Sequence, residues 1–334
     1  MKIKILLFTL ISFIGIFKVQ GQTVAELQTT AQSFMRSGDY SNAIMILNRC
    51  VEKEPENRSV GKDLALSYFY SSNNVKALEV IQPVLKSDEA DDQIFIIAGN
   101  IYKALDKGKD AEKTFKKGIA KFPESGNLYN ELGELQVKSG NREAIKTWEK
   151  GIKADPGFGR NYFNAGRYYF FEKNFLWSLI YGEISLNTEP LGNRAAESKS
   201  MLLESYKQIF ASDMLGAGFE KKNDFEKKFL TALKKQQAVL DNGITVESLT
   251  MMRTRFILDW YAPNEEKPEL KLFEHQQLLL RSGLFDTYNQ WIFGVTENVT
   301  AYQNWIKNNN TDYAAFVKFQ QSRTFKMPQG QYYH

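Results

Sequence analysis

Polar and apolar positions between Val24 and Leu191 repeat with a period of about 34 residues. In each period a first apolar stretch at helical spacing, such as LALSYFY, ends at a polar turn signal: SGD at Ser37 to Asp39, SSNN at Ser71 to Asn74, SGN at Ser139 to Asn141. A second stretch at the same spacing follows, so each period predicts two short antiparallel helices. Small residues recur at Ala31, Ala65, Gly99, Gly133 and Gly166, and again at Ala43, Ala77, Ala111, Ala144 and Ser178. Helices must approach closely there. A third small set, Cys50, Val84, Gly118, Gly151 and Ser185, is preceded by bulky Leu47, Ile81, Phe115 and Trp148, so small and large positions should interlock. Pro55, Glu89, Pro123, Pro156 and Pro190 close the units, and a proline cannot continue the second helix. Two irregularities stand out: the fourth unit is one residue short between Gly140 and Ala144, and Gly182 takes the bulky site of the fifth.

Three residues after the first small position comes Phe34, Tyr68, Tyr102, Gln136 or Tyr169. With the small, bulky and proline positions, this pattern resembles the tetratricopeptide repeat. The resemblance implies an all-α fold, a right-handed α-solenoid of about five helix pairs, each unit burying its apolar face on the next. It also implies that the first helices line a concave face where a peptide or a partner helix lies. Carried over residue by residue, that face takes Gln28, Gln32 and Arg36, then Lys62, Leu66, Phe69 and Tyr70, then Ile96, Asn100 and Lys103. The fourth unit adds Asn130, Glu134 and Lys138, and the fifth Arg160, Phe163, Arg167, Phe170 and Phe171. Lys62, Phe69, Asn100, Asn130, Arg160, Phe163, Arg167 and Phe170 are the expected partner-binding residues. A carboxylate clamp of the kind some of these domains use is not reproduced, because Lys62 is followed by Leu66 rather than Asn and Asn100 is preceded by Ile96. Arg167 beside Phe163 and Phe170 could instead hold an acidic or aromatic segment, or the two rings could simply be buried.

After the repeats the pattern changes. AAESKSMLLESYKQIF has helical spacing with Ser200 at the small position, but Gly216 and Gly218 break it, so residues 192–223 read as a capping helix and linker. Helical segments follow at Asp224 to Leu240, Val246 to Tyr261, Pro268 to Arg281, Leu284 to Phe293, Val299 to Lys307 and Asp312 to Arg323, with no strand signals. Trp260, Tyr261, Phe273, Phe285, Tyr288, Trp291, Phe293, Tyr302, Trp305, Phe316 and Phe319 should form a helical core in domain 224–323, covering the open end of the solenoid. The alternative use of these rings is a platform for a small molecule or glycan, with a pocket lined by Trp291, Tyr302 and Trp305. The closing FKMPQGQYYH, residues 324–334 with Thr324, reads as an extended tail.

Lys2 and Lys4 precede an apolar run from Ile5 to Phe17 that has the length of a signal-peptide core, so residues 1–21 read as an export signal with Gln22 as the mature terminus. Lys18 directly after the run leaves an uncleaved anchor as the alternative. No later stretch is apolar enough to cross a membrane. Removing Lys2, Lys4 and Lys18 from the 43 basic residues leaves 40 against 39 acids, so a nucleic-acid role has no electrostatic support. The one cysteine, Cys50, cannot form an internal disulfide and sits at a packing position.

Catalytic chemistry has no motif here. The two histidines, His275 and His334, do not make a multi-histidine metal centre, and no nucleophile elbow, phosphate loop or paired-cysteine motif occurs. Glu274 and His275 read as a solvated pair, and Glu265 and Glu266 as a surface loop. The expectation is a non-catalytic, cofactor-free, exported scaffold or adaptor, periplasmic, that binds a protein or peptide.

Overall fold

The computed structural model describes residues 22–211, 221–263 and 267–334, and among them there is no strand. The expected export signal (1–21), the Gly216 and Gly218 break, and Glu265 with Glu266 lie outside the described residues. The chain divides into two compact units, Met1–Asp88 and Glu89–His334.

The first unit holds two helix pairs: α1 (Val24–Arg36) with α2 (Tyr40–Lys53), and α3 (Arg58–Tyr70) with α4 (Asn74–Leu85). Thr23 opens α1 with a capping box, its hydroxyl accepting from the Glu26 amide while Glu26 accepts from the Thr23 amide at 2.9 Å. Asp39, Asn57 and Asn73 cap the other three helices, each accepting from a first-turn amide. Leu27, Ala31, Ala43, Leu47, Cys50, Val60 and Leu64 form the core. Burial pushes the Cys50 thiol up, which keeps it protonated and suits a packing role.

Three more pairs open the second unit: α5 (Asp92–Ala104) with α6 (Gly108–Lys121), α7 (Gly126–Lys138) with α8 (Ala144–Ala154), and α9 (Gly159–Phe171) with α10 (Phe175–Thr188). All five pairs turn through a left-handed residue at the same place, Gly38, Ser72, Asp106, Gly140 and Lys173. Side chains other than glycine are strained there, and three of the five turns accept that strain. The shortened fourth unit is visible directly. Helices α2, α4, α6 and α10 begin three residues before their small position, whereas α8 begins on Ala144 itself. Asn141 fills the gap, its Oδ1 accepting from the Glu143 amide at 2.9 Å.

The interlock read from the sequence is present. A methyl group on Gly133 would overlap the Trp148 indole, and one on Gly99 would overlap the Phe115 ring. In the fifth pair the bulky partner is missing and the backbones meet instead: a methyl on Gly166 would lie 3.1 Å from the Gly182 nitrogen. The outer side of Gly182 receives Leu202 from α11 (Ala195–Ala211). On α11 the small contact position is not Ser200, which is exposed, but Ser198 and Ser205, both buried. The inward face is fixed by Leu202 and Ile209, and Ser205 shares it by donating to Ser178 of α10 at 3.2 Å.

The remaining helices are α12 (Asp224–Lys234), α13 (Val246–Trp260), α14 (Lys271–Arg281), α15 (Phe285–Asn289), α16 (Val295–Glu297), α17 (Val299–Asn308) and α18 (Asn310–Ser322). A tighter turn at Gln237–Leu240 replaces the end of the first predicted segment, and a wider helical turn at Gln290–Gly294 joins α15 to α16. Stacked and edge-on rings of Phe229, Phe256, Trp260 and Phe273 form the middle of this domain. Four of the aromatics expected in the core are only partly buried: Tyr261, Tyr302, Trp305 and Phe319. For Tyr302 and Trp305 the reason is that α17 has no buried residue at all.

Every residue of α10 from Leu176 to Asn187 is buried. One of them is charged. Glu183 Oε1 accepts from Arg253 of α13, from Gln276 of α14 at 2.7 Å and from Tyr288 of α15 at 2.8 Å. Arg253 also donates to Asn289 Oδ1 at 2.5 Å, and the side chains of Arg253 and Glu183 are 2% and 3% exposed. The tail then returns to the repeats. Tyr333 stacks on Phe225 at 4.7 Å, and His334 Nδ1 lies 2.9 Å from Glu149 of α8. Burial pushes the Glu149 carboxyl up, but hydrogen bonds from His334, Tyr169 and Tyr332 outweigh it and hold the group below its ordinary range.

Two substitutions test this packing. Gly133→Leu should destabilise the second unit by about 1–3 kcal/mol or more by overpacking against Trp148, with exposed Lys109→Ala nearly silent; a Gly133→Leu melt matching the parent would contradict the interlock. Arg253→Met leaves Glu183 buried without its cation and should cost about 3–5 kcal/mol in chemical denaturation. Adding Glu183→Leu should recover part of that loss.

Candidate functional site

Where the first helices of neighbouring repeats meet, polar side chains bridge them. Within the first unit, Gln28 and Gln32 of α1 both donate to Asp63 Oδ2 of α3, at 2.8 and 2.9 Å. Lys62 is half-buried on the same helix. Phe69 is half-buried and packs on Tyr70, whose exposed ring stacks on Tyr40 at 5.2 Å.

In the second unit the bridges continue from pair to pair. Lys103 of α5 pairs with Glu131 of α7 at 2.8 Å, and Asn100 lies half-buried one turn before it. Asn130 is fully buried: it donates to Glu134 at 3.1 Å and accepts from Asn164 of α9 at 2.8 Å. This residue is committed to the α7–α9 contact. Arg167 of α9 continues the series by pairing with Glu197 of α11 at 2.8 Å. Arg160 lies over Phe158. The bridges make α11 the next first helix in the stack, although the sequence does not supply it with a second helix of repeat type.

Phe163, Arg167 and Phe170 do not converge as one cluster. Phe163 is buried under Arg194, whose guanidinium lies 5.5 Å from the ring. Phe170 is half-buried against Phe171 and Phe175. The ring that reaches solvent is Phe171, 68% exposed, with the exposed Arg167 guanidinium 5.6 Å from it. Beside it opens a cavity of 420 Å³ lined by Phe170, Phe171, Met201 and Leu203, with Glu197, Ser200, Glu204, Lys207 and Thr296 at its polar positions. Sequence reasoning named the two phenylalanines and missed the α11 side.

This arrangement offers an apolar recess for a large side chain and, at its edge, charges of both signs for polar contacts. It offers no catalytic constellation, and among the described residues no group of three His, Cys, Asp or Glu side chains could hold a metal ion. Glu274 and His275 are not the solvated pair expected: Glu274 is partly exposed and pairs with Lys271 at 2.8 Å, whereas His275 is enclosed by the rings of Tyr288, Phe319 and Phe325. Trp291 is likewise buried, against Tyr288 and Phe316 and under Lys199, whereas Tyr302 and Trp305 on α17 are partly exposed.

No family model matches the chain. Among curated proteins it is similar to the aspartyl/asparaginyl beta-hydroxylases of Homo sapiens and Mus musculus, each 29% identical over 119 residues. That match covers 35% of this chain and lies in its repeat part, and the chain spans only 16% of the length of these relatives. Solved structures similar to it include TTC0263, a thermophilic TPR protein of Thermus thermophilus, at 14% identity and a TM-score of 0.46, covering 54% of this chain and 100% of that one. MamA from Desulfovibrio magneticus RS-1 gives 15% identity and a TM-score of 0.42 over 52% of this chain and 98% of that one. YrrB, a TPR protein with an unusual peptide-binding site, gives 14% and 0.39 over 55% and 92%. The five helix pairs, their interlocked small and bulky positions and their common left-handed turns give residues 24–191 the helix-pair architecture of the tetratricopeptide repeat that their sequence resembles.

Proposed function

We propose that the protein is an exported, non-catalytic scaffold that holds a segment of a protein partner on the first-helix face of its repeats, within a cell-envelope assembly. The observation that carries this reading is Phe171. A ring 68% exposed on a helix whose other side is packed gains about 1.5–3 kcal/mol when a partner covers it. The 420 Å³ cavity beside it gives a partner side chain somewhere to go, and Arg167 with Glu197 fixes the polar edge. An aromatic anchor and an arginine at the rim of an apolar recess are the usual ingredients of a binding hot spot. Export to the periplasm is supported by Lys2, Lys4 and the apolar run from Ile5 to Phe17.

Phe171→Ala and Arg167→Ala should each weaken binding of the partner captured from native envelopes by about tenfold. Both residues are exposed, so circular dichroism should show unchanged helix content. Unaltered affinity in both variants would place the binding surface elsewhere. For export, the intact mass of the native protein should correspond to a chain starting at Gln22, and a full-length chain in the cytoplasm would contradict the proposed compartment.

A further inference from the structure

A second cavity, of 180 Å³, lies in the second unit between the end of α10, α14 and the end of α18. Its walls are Phe319, Phe325 and the His275 imidazole, and its polar positions are Asn187, Thr188, Gln320, Arg323 and Thr324. A cavity of this volume has room for more than a single water. No acid is among the lining residues. The charged neighbours that act on His275 are Lys271 of its own helix and Arg323 beyond α18, both cations, and the side chain facing it from α15 is Tyr288. Together with burial they push the imidazole down to about 4, so at neutral pH it is an uncharged, flat wall.

The donors converge on one side. Arg323 is an exposed lining residue at the cavity mouth with its guanidinium 5.3 Å from the Phe319 ring, and a guanidinium can meet a carboxylate through two N–H groups at once. Gln320 and Thr324 add neutral donors close by. On the inner side Asn187 is held still, its amide donating to Tyr288 Oη at 2.6 Å and to the Glu183 carbonyl at 2.8 Å. Thr188 spends its hydroxyl proton on the Ile184 carbonyl at 2.9 Å. The inner end therefore presents rings and fixed groups, and the mouth presents a cation with donors.

The geometry points to a binding site for a small planar carboxylate, its acid group on Arg323 and its flat body in the cavity lined by the Phe319, Phe325 and His275 rings. A carboxylate is acceptor-only and bidentate, which matches the donors at the mouth. A flat apolar body matches the walls, whereas a tetrahedral, doubly charged anion would meet rings where it needs donors. This site is independent of the partner-binding face around Phe171.

Calorimetric titration of the full chain with benzoate tests it, with benzamide and inorganic phosphate as comparisons. Benzoate should bind saturably at millimolar concentrations or below, and benzamide and phosphate at least tenfold more weakly. Arg323→Gln, at an exposed position, should reduce benzoate affinity at least tenfold. As a second readout in the unaltered protein, bound carboxylate should raise the titration midpoint of His275 in proton NMR, because an anion nearby favours the imidazolium. Absence of saturable benzoate binding, equal binding by the Arg323→Gln protein, phosphate binding as tight as benzoate, or a His275 midpoint unmoved by saturating benzoate would each overturn the proposal.

Discussion

A helix in a two-layer stack can leave one face to solvent, and α10 has no such face. Every residue from Leu176 to Asn187 is buried, so something other than the repeat array must cover its outer side. Gly166 and Gly182 bring α9 against it backbone to backbone, α11 closes over Gly182 through Leu202, and α13, α14 and α15 supply the donors to Glu183. The aromatic core of the C-terminal helices follows from this requirement. Phe225 and Phe229 extend it from the Trp177 ring of α10 out to Phe256, Trp260 and Phe273, one hydrophobic cluster that begins at Ala144 and ends at Met327. Glu183 and Arg253 carry the greatest risk within it. A buried pair adds little by itself, but either partner alone would be a buried charge without its counter-ion, so the pair favours one arrangement of α13 on α10 over a slid one.

The repeat architecture was legible because its signals are redundant. Small residues, bulky partners and closing prolines each repeat, and the missing residue before Ala144 could be located from the spacing alone. The turns at Asp106 and Lys173 were less so, since a left-handed residue is announced by glycine and neither of these is one. The fate of the aromatics was legible as composition and not as placement. Trp305 and Tyr302 have the same spacing credentials as Trp291 and Phe316, but α17 lies at the outside of the helical domain and they stay partly exposed.

The candidate face shows why carry-over from a family pattern identifies positions better than roles. Asn130 occupies a groove position, yet its amide links α7 to α9 and the side chain is withdrawn from solvent. Gln28, Gln32, Lys103 and Arg167 are also used between neighbouring first helices, in bridges that recur along each unit. A partner meeting this face encounters pre-organised polar groups that cost little to hold in place, and one apolar recess at α9 and α11 where burial is still available. The recess was invisible from the repeat pattern because half of it comes from α11, where the pattern has already lapsed.

If α10 depends on the C-terminal helices for burial, the fifth repeat and the C-terminal helices must open together. Native-state hydrogen exchange across a denaturant series measures this directly through amides such as Ile180 of α10, Ile257 of α13 and Tyr288 of α15. The account predicts that these amides share one opening free energy and one denaturant dependence. Exchange of α13 and α15 through an opening of clearly lower free energy, with α10 still protected, would contradict it.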